Sequence, residues 1–213
     1  HIGVPFPDMG TLQDEVAVFT EAARWATGLV VQVGDDQWEK PGLGEWDVRA
    51  LVGHTSRALL TVEQYLQSPA DTVAVESAEA YYRAVTELPG ADPSAVLQRG
   101  VDAGTALGPD PSSAFRSIAE RVTALLDGQN DQVITTIVGG IGLSDYLPTR
   151  TFELVVHGLD IARATGLPQD PPAAALQRCL ELAGAVAAQG DSGATVLLAL
   201  TGRQALPDDY SIL

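Results

Sequence analysis

Apolar residues recur every three to four positions through most of this sequence, in segments separated by proline and glycine, and this spacing fixes the class of fold. Leu12 to Val33 places Val16, Phe19, Ala23, Ala26 and Val30 on one stripe, as an amphipathic helix requires. "DDQWEKPGLG" breaks that segment, with Pro41, Gly42 and Gly44 as punctuation. Asp47 then stands as an N-cap before Val48, Leu51, Val52, Thr55, Leu59, Val62 and Leu66, a second stripe ended by Pro69. Three more helical segments are expected between Val73 and Gly128, the first over 73–88, with breaks at Pro89-Gly90 and Pro111. Together they read as one long, interrupted antiparallel arm. "QVITTIVGGIGLSDYLP" is the one stretch rich in β-branched residues and glycine, and it reads as a loop or short hairpin. A long helix follows, with Ser144 or Asp145 as its cap and Pro148 in its first turn, ending at Gly166. "PPAAALQRCLELAGAVAAQG" and "SGATVLLALTGR" supply two more helices. No repeat or clear linker divides the 213 residues, so an all-α bundle is the expected architecture.

Composition narrows the function classes. With 46% hydrophobic and 19% charged residues the chain is globular, and it is long enough to bury a core without disulfides or a metal as staples. A formal net charge of −16 argues against a nucleic-acid partner, because neutralising phosphates needs clustered Lys and Arg. It argues equally against an anionic membrane surface. Lys40 is the only lysine while Ala, Gly and Val abound, the bias of a GC-rich genome. Cys179 is the only cysteine, so no internal disulfide is available and a reducing cytoplasm is expected. In "LQRCLELAG" it reads as a small apolar helix residue rather than a nucleophile. No basic segment with a following apolar one opens the sequence, and no run reaches the ~18–20 apolar residues of a membrane span, which adds to the cytoplasmic expectation.

Apart from His1, which is set aside from site reasoning, the sequence has two histidines, His54 and His157. Leu51 and Ala58 bracket His54 at i−3 and i+4, which turns it towards the bundle interior. In "RTFELVVHGLDIA", Glu153 precedes His157 by one helical turn on the same face, with Arg150 and Asp160 close by. Titratable groups on an apolar helix reach solvent, or are paired, liganded or functional. Two imidazoles and a carboxylate converging inside a bundle would make a three-ligand site with a position open for water or substrate, the coordination of a catalytic zinc. The blander alternative is a pair of hydrogen-bonded core histidines. The spacing matches neither the HExxH of zincins nor the paired Glu-x-x-His of di-iron bundles, and it leaves both readings open.

"PGLGEWDVRALVGHTSRAL" resembles the second-helix signature of the mycothiol-dependent maleylpyruvate isomerase family, in which a Trp and a capping polar residue precede a VRxLVxH run. "TRTFELVVHGLDIARATG" is similar to that family's other hallmark, an Arg-x-x-Glu-x-x-x-His-x-x-Asp helix. The resemblance covers roughly Leu12 to Gly166. It implies a DinB-like up-down-down-up four-helix bundle over residues 1–166, with 167–213 as a C-terminal helical extension packed on it. It also implies His54, Glu153 and His157 as ligands of a divalent metal, zinc ahead of nickel or manganese. Mycothiol, the cysteine-containing pseudodisaccharide of actinobacteria, would be the thiol cosubstrate, with a small electrophile as second partner. A metal with an open position stabilises a thiolate, which then serves S-transfer or thiol-assisted cis–trans isomerisation. Isomerase members of the family carry a separate domain after the bundle. About 47 residues follow Gly166 here, so S-transfer is expected ahead of maleylpyruvate isomerisation.

Neighbouring residues take roles from their positions. Asp160 could accept a ring N–H of His157 and fix its tautomer, or face solvent and pair with Arg163 or Arg150. Arg57, one turn beyond His54, and Arg150, one turn before Glu153, could each receive a substrate carboxylate in a bidentate fork, the alternative being a surface salt bridge. The glycines of "IVGGIGLS", Ile137 to Ser144, could let backbone line the mouth of the site. Three classes compete: a mycothiol-using metalloenzyme, a metal-binding or sensing module without catalysis, and a metal-free helical scaffold.

Overall fold

The computed structural model describes residues 11–88, 93–208 and 210–212; His1 and the Pro89-Gly90 break lie outside them. Among the described residues the chain is mostly helical, with two short antiparallel hairpins. Helix α1, Leu12–Val30, opens on a capping box: the Thr11 hydroxyl accepts from Asp14 N–H and the Asp14 carboxylate accepts from Thr11 N–H. Strands β1, Pro41–Leu43, and β2, Trp46–Asp47, form a tight hairpin in the segment read as a plain break. Helix α2, Val48–Leu66, starts on Asp47, whose carboxylate accepts from Ala50 N–H at 2.7 Å. The stripe from Val48 to Val62 is buried, as its spacing predicts.

Helices α3, Ala78–Thr86, α4, Pro93–Ala106, and α5, Pro111–Leu126, do not form an arm. They pack on the other helices rather than on one another: α3 on helix α6, Leu143–Thr165, and on α7, Ala173–Gln189; α4 on α2; and α5 on both α1 and α2. The reason is that each carries its own apolar face, and such faces bury more against the long helices than against one another. Helix α3 also begins later than its periodicity suggests. Ser77 caps it through Ala80 N–H, while Ala74 N–H and Val75 N–H bond to Gly140 O.

That carbonyl belongs to the second hairpin, β3, Val133–Thr136, with β4, Gly139–Gly142. Its glycines serve backbone-to-backbone packing: a Cβ on Gly140 would collide with Thr72 O. The α6 cap also differs from expectation. The helix starts at Leu143, and neither Ser144 nor Asp145 caps it. Instead Asp131 reaches across to accept from Ser144 N–H at 3.0 Å and from the Ser144 hydroxyl at 2.7 Å, which places Pro148 inside the helix.

Helices α1 and α2 each touch both α5 and α6, so these four close a ring around a shared core that includes Phe19, Leu51, Leu59, Phe115, Tyr146 and Leu154. Gly166, at φ 73°, ends α6 in the left-handed conformation that glycine adopts at low cost. Helix α7 lies against α6, α1 and α3, and α8, Gly193–Leu200, lies on α7. Arg178 of α7 pairs with buried Glu15 of α1. Burial pushes Glu15 up to about 7 against the pull of Arg178.

Candidate metal centre

Helix α2 presents His54 in its second turn, and α6 presents Glu153 and His157 near its middle. One atom from each side chain lies within 4.8 Å of the others. The two imidazoles meet edge to face, centroids 4.8 Å apart. Two tryptophans back the helices that carry the trio. The Trp46 ring stacks on His54 at 4.5 Å and donates its Nε1–H to Leu97 O of α4, which fixes the imidazole from behind. On α6, Gly158 has no side chain, so Trp25 of α1 sits where a Cβ would be.

His157 is held from both sides. Its Nδ1 lies 3.2 Å from Asp160 Oδ2, and its Nε2 lies 3.3 Å from Glu153 Oε2. Asp160 makes no ion pair with Arg163 or Arg150, so of its two sequence-level roles the geometry has the one towards His157. Burial alone pushes this imidazole down, but the hydrogen bonds to Asp160 and Glu153 outweigh it and raise His157 to about 9. Glu153 goes the other way. Its burial is overcome by the His157 hydrogen bond and the Arg150 charge, which lower it to about 2. His54 is lowered to about 4, first by burial and then by the nearby His157 charge.

Sequence reasoning missed Tyr82 of α3. Its hydroxyl lies 2.8 Å from Glu153 Oε1 and 3.1 Å from Thr149 O. Nothing in "EAYYRAV" distinguishes this tyrosine from a core aromatic, because its partner is distant in the chain. Arg150 extends over the faces of Tyr146 at 5.1 Å and Tyr81 at 5.6 Å and donates Nε–H to Thr149 Oγ1. Neither Arg57 nor Arg150 forms an ion pair with a described residue, so the surface salt bridges considered for them do not form there. Both charges are felt at His54. The "IVGGIGLS" segment, by contrast, does not line the site. Its last glycine, Gly142, lies about 16 Å from Glu153 along the axis of α6, and its strand, β4, bonds to the backbone of Ala74 and Val75. Cys179 is buried, its thiol pushed up to about 12 by burial, which leaves it a packing residue.

The donor set suits a divalent cation. Two imidazoles and one carboxylate are the ligands zinc takes in open sites. Moreover, His54 makes no hydrogen bond to a described residue and its Nδ1 is fully buried, whereas a histidine kept only for core packing would be expected to have a partner. The fold and site thus define a helical protein with a candidate His-Glu-His metal site. The chain belongs to the family described as the mycothiol maleylpyruvate isomerase N-terminal domain, which matches residues 19–162. That match spans His54, Glu153, His157, Asp160 and Tyr82, and it stops before α7. No curated protein and no solved structure matches the chain significantly.

Proposed function

We propose that this chain is a divalent-metal-dependent enzyme that uses mycothiol as thiol cosubstrate, for S-transfer to a small electrophile or thiol-assisted isomerisation of one. The observation that carries the reading is the convergence of His54, Glu153 and His157 within 4.8 Å inside a member of the mycothiol family. The ring of α1, α2, α5 and α6 supports a DinB-like up-down-down-up four-helix bundle over residues 1–166, with 167–213 as a helical extension. The single buried thiol supports a reducing cytoplasm.

In this reading His54, Glu153 and His157 hold the metal, zinc ahead of nickel or manganese. A divalent cation so held supplies Lewis-acid polarisation and lowers the pKa of a thiol or water bound to it. Asp160 keeps the His157 Nδ1 proton in place, which leaves Nε2 as the ligand atom and orients the ring. Arg150 is held over two tyrosine faces near Glu153, and Arg57 stands one turn beyond His54. Both would receive negative charge on the electrophile, since neither is engaged by a described carboxylate.

The test is metal analysis of untagged protein purified without added metal, wild type against His157→Ala. About one equivalent of zinc or nickel is expected, lost in the variant, together with turnover of mycothiol and a test electrophile. Absence of bound metal, with no uptake on zinc titration, would leave a scaffold with two core histidines. Stoichiometric metal without turnover would leave a binding or sensing module.

A further inference from the structure

The two oxygens of Glu153 have different partners. Oε2 faces His157 Nε2, a member of the trio, at 3.3 Å. Oε1 points the other way, to the hydroxyl of Tyr82 at 2.8 Å. A tyrosine hydroxyl has one proton, and between an ionised carboxylate and the Thr149 carbonyl at 3.1 Å the carboxylate is both closer and the stronger acceptor. The tyrosine is itself firmly held. It is buried in α3, edge-on to Phe152 at 5.6 Å and to Tyr81 at 6.1 Å, and α3 is packed between α6 and α7.

Resting on the metal reading above, we infer that Tyr82 is a positioning residue that occupies Glu153 Oε1 and so makes Glu153 a one-oxygen ligand. A carboxylate free at both oxygens can bind a cation through either or both. With Oε1 engaged by Tyr82, binding through Oε2 is favoured over binding through both oxygens, and a coordination position that a second oxygen would fill is left to the thiol or the electrophile. Tyr82 thus does for Glu153 what Asp160 does for His157: each ligand of α6 is oriented by a polar group outside the trio.

The experiment compares wild type and Tyr82→Phe, a change that keeps the ring and removes only the hydroxyl. Both are stripped of metal, checked for folding by circular dichroism and thermal unfolding, and titrated with zinc against a chelating dye and with cobalt(II) for its visible spectrum. The expected result is full zinc stoichiometry in both and, in Tyr82→Phe, a less intense cobalt band as coordination rises above four, with zinc affinity shifted about 10-fold or more because Glu153 is no longer held in one orientation. Unchanged affinity and an unchanged band in a folded variant would overturn the role of Tyr82 while leaving the metal site intact. Failure of wild type to take up either metal would overturn the metal reading and this inference together.

Discussion

His157 stands between two carboxylates, with Asp160 Oδ2 3.2 Å from Nδ1 and Glu153 Oε2 3.3 Å from Nε2, so in the metal-free chain the doubly protonated ring is favoured. Its raised value, about 9, gives a sign that can be checked. A group whose folded pKa lies above its unfolded value stabilises fully below the unfolded pKa, near 6.5, and its contribution is lost as pH rises through about 9. Metal binding must displace a proton from that ring. Between pH 6.5 and 9, therefore, the metal-free protein loses this contribution while zinc affinity rises, by about tenfold per pH unit. Calorimetric titration at pH 7 in buffers of different ionisation enthalpy is expected to show about one proton released per zinc bound. Asp160→Asn removes one of the two carboxylates and is expected to reduce that release. The shared face of Glu153 and His157 was legible from their i, i+4 spacing, and the inward phase of His54 from Leu51 and Ala58, but spacing left open whether the three meet, and the trio came from the family resemblance. Tyr82 was not legible, since its contact with Glu153 is made only when α3 docks on α6.

Helix α4 crosses α2 where glycines face each other. A Cβ on Gly53 would collide with the backbone of Gly104, and one on Gly100 would strike the Trp46 indole. Gly53→Ala is expected to destabilise the protein by about 1–3 kcal/mol or more, since backbone rather than a flexible side chain is in the way. Gly184→Ala in α7, an exposed helical position with nothing near the added Cβ, is expected to do the opposite and stabilise by about 0.5–1 kcal/mol. Denaturant unfolding of the two variants measures the opposite signs directly. A loss of stability in Gly184→Ala would contradict this account. Helix existence was readable throughout from the 3.6-residue period, and so was the Asp47 cap. Partner choice was not. Gly100 and Gly104, four apart in a helix they weaken, were the one signal that α4 lies close against a neighbour. The α6 cap was misread because its acceptor, Asp131, lies thirteen residues upstream, beyond the reach of a local rule.

Over the whole chain, acidic groups outnumber basic ones by 28 to 12, so the field around the protein is negative. On the proposed function, Arg57 and Arg150, whose charges are both felt at His54, are the groups that would draw an anionic electrophile against that field. No helix among the described residues is long and apolar enough to cross a membrane. Removing metal from the loaded protein is expected to lower its thermal midpoint in a metal-concentration-dependent way. The stabilisation amounts to about 4 kcal/mol at a thousandfold excess over the dissociation constant, and scanning calorimetry with and without chelator reads it. His54 and Glu153 are separated by about 100 residues of chain, and closing a loop that long carries an entropic cost which a cross-link removes from the unfolded state. A cation gripped by α2 and α6 would therefore act as a clasp as well as a reagent. A cell short of metal would be left with a looser molecule, easier for proteases to open, as well as an idle one.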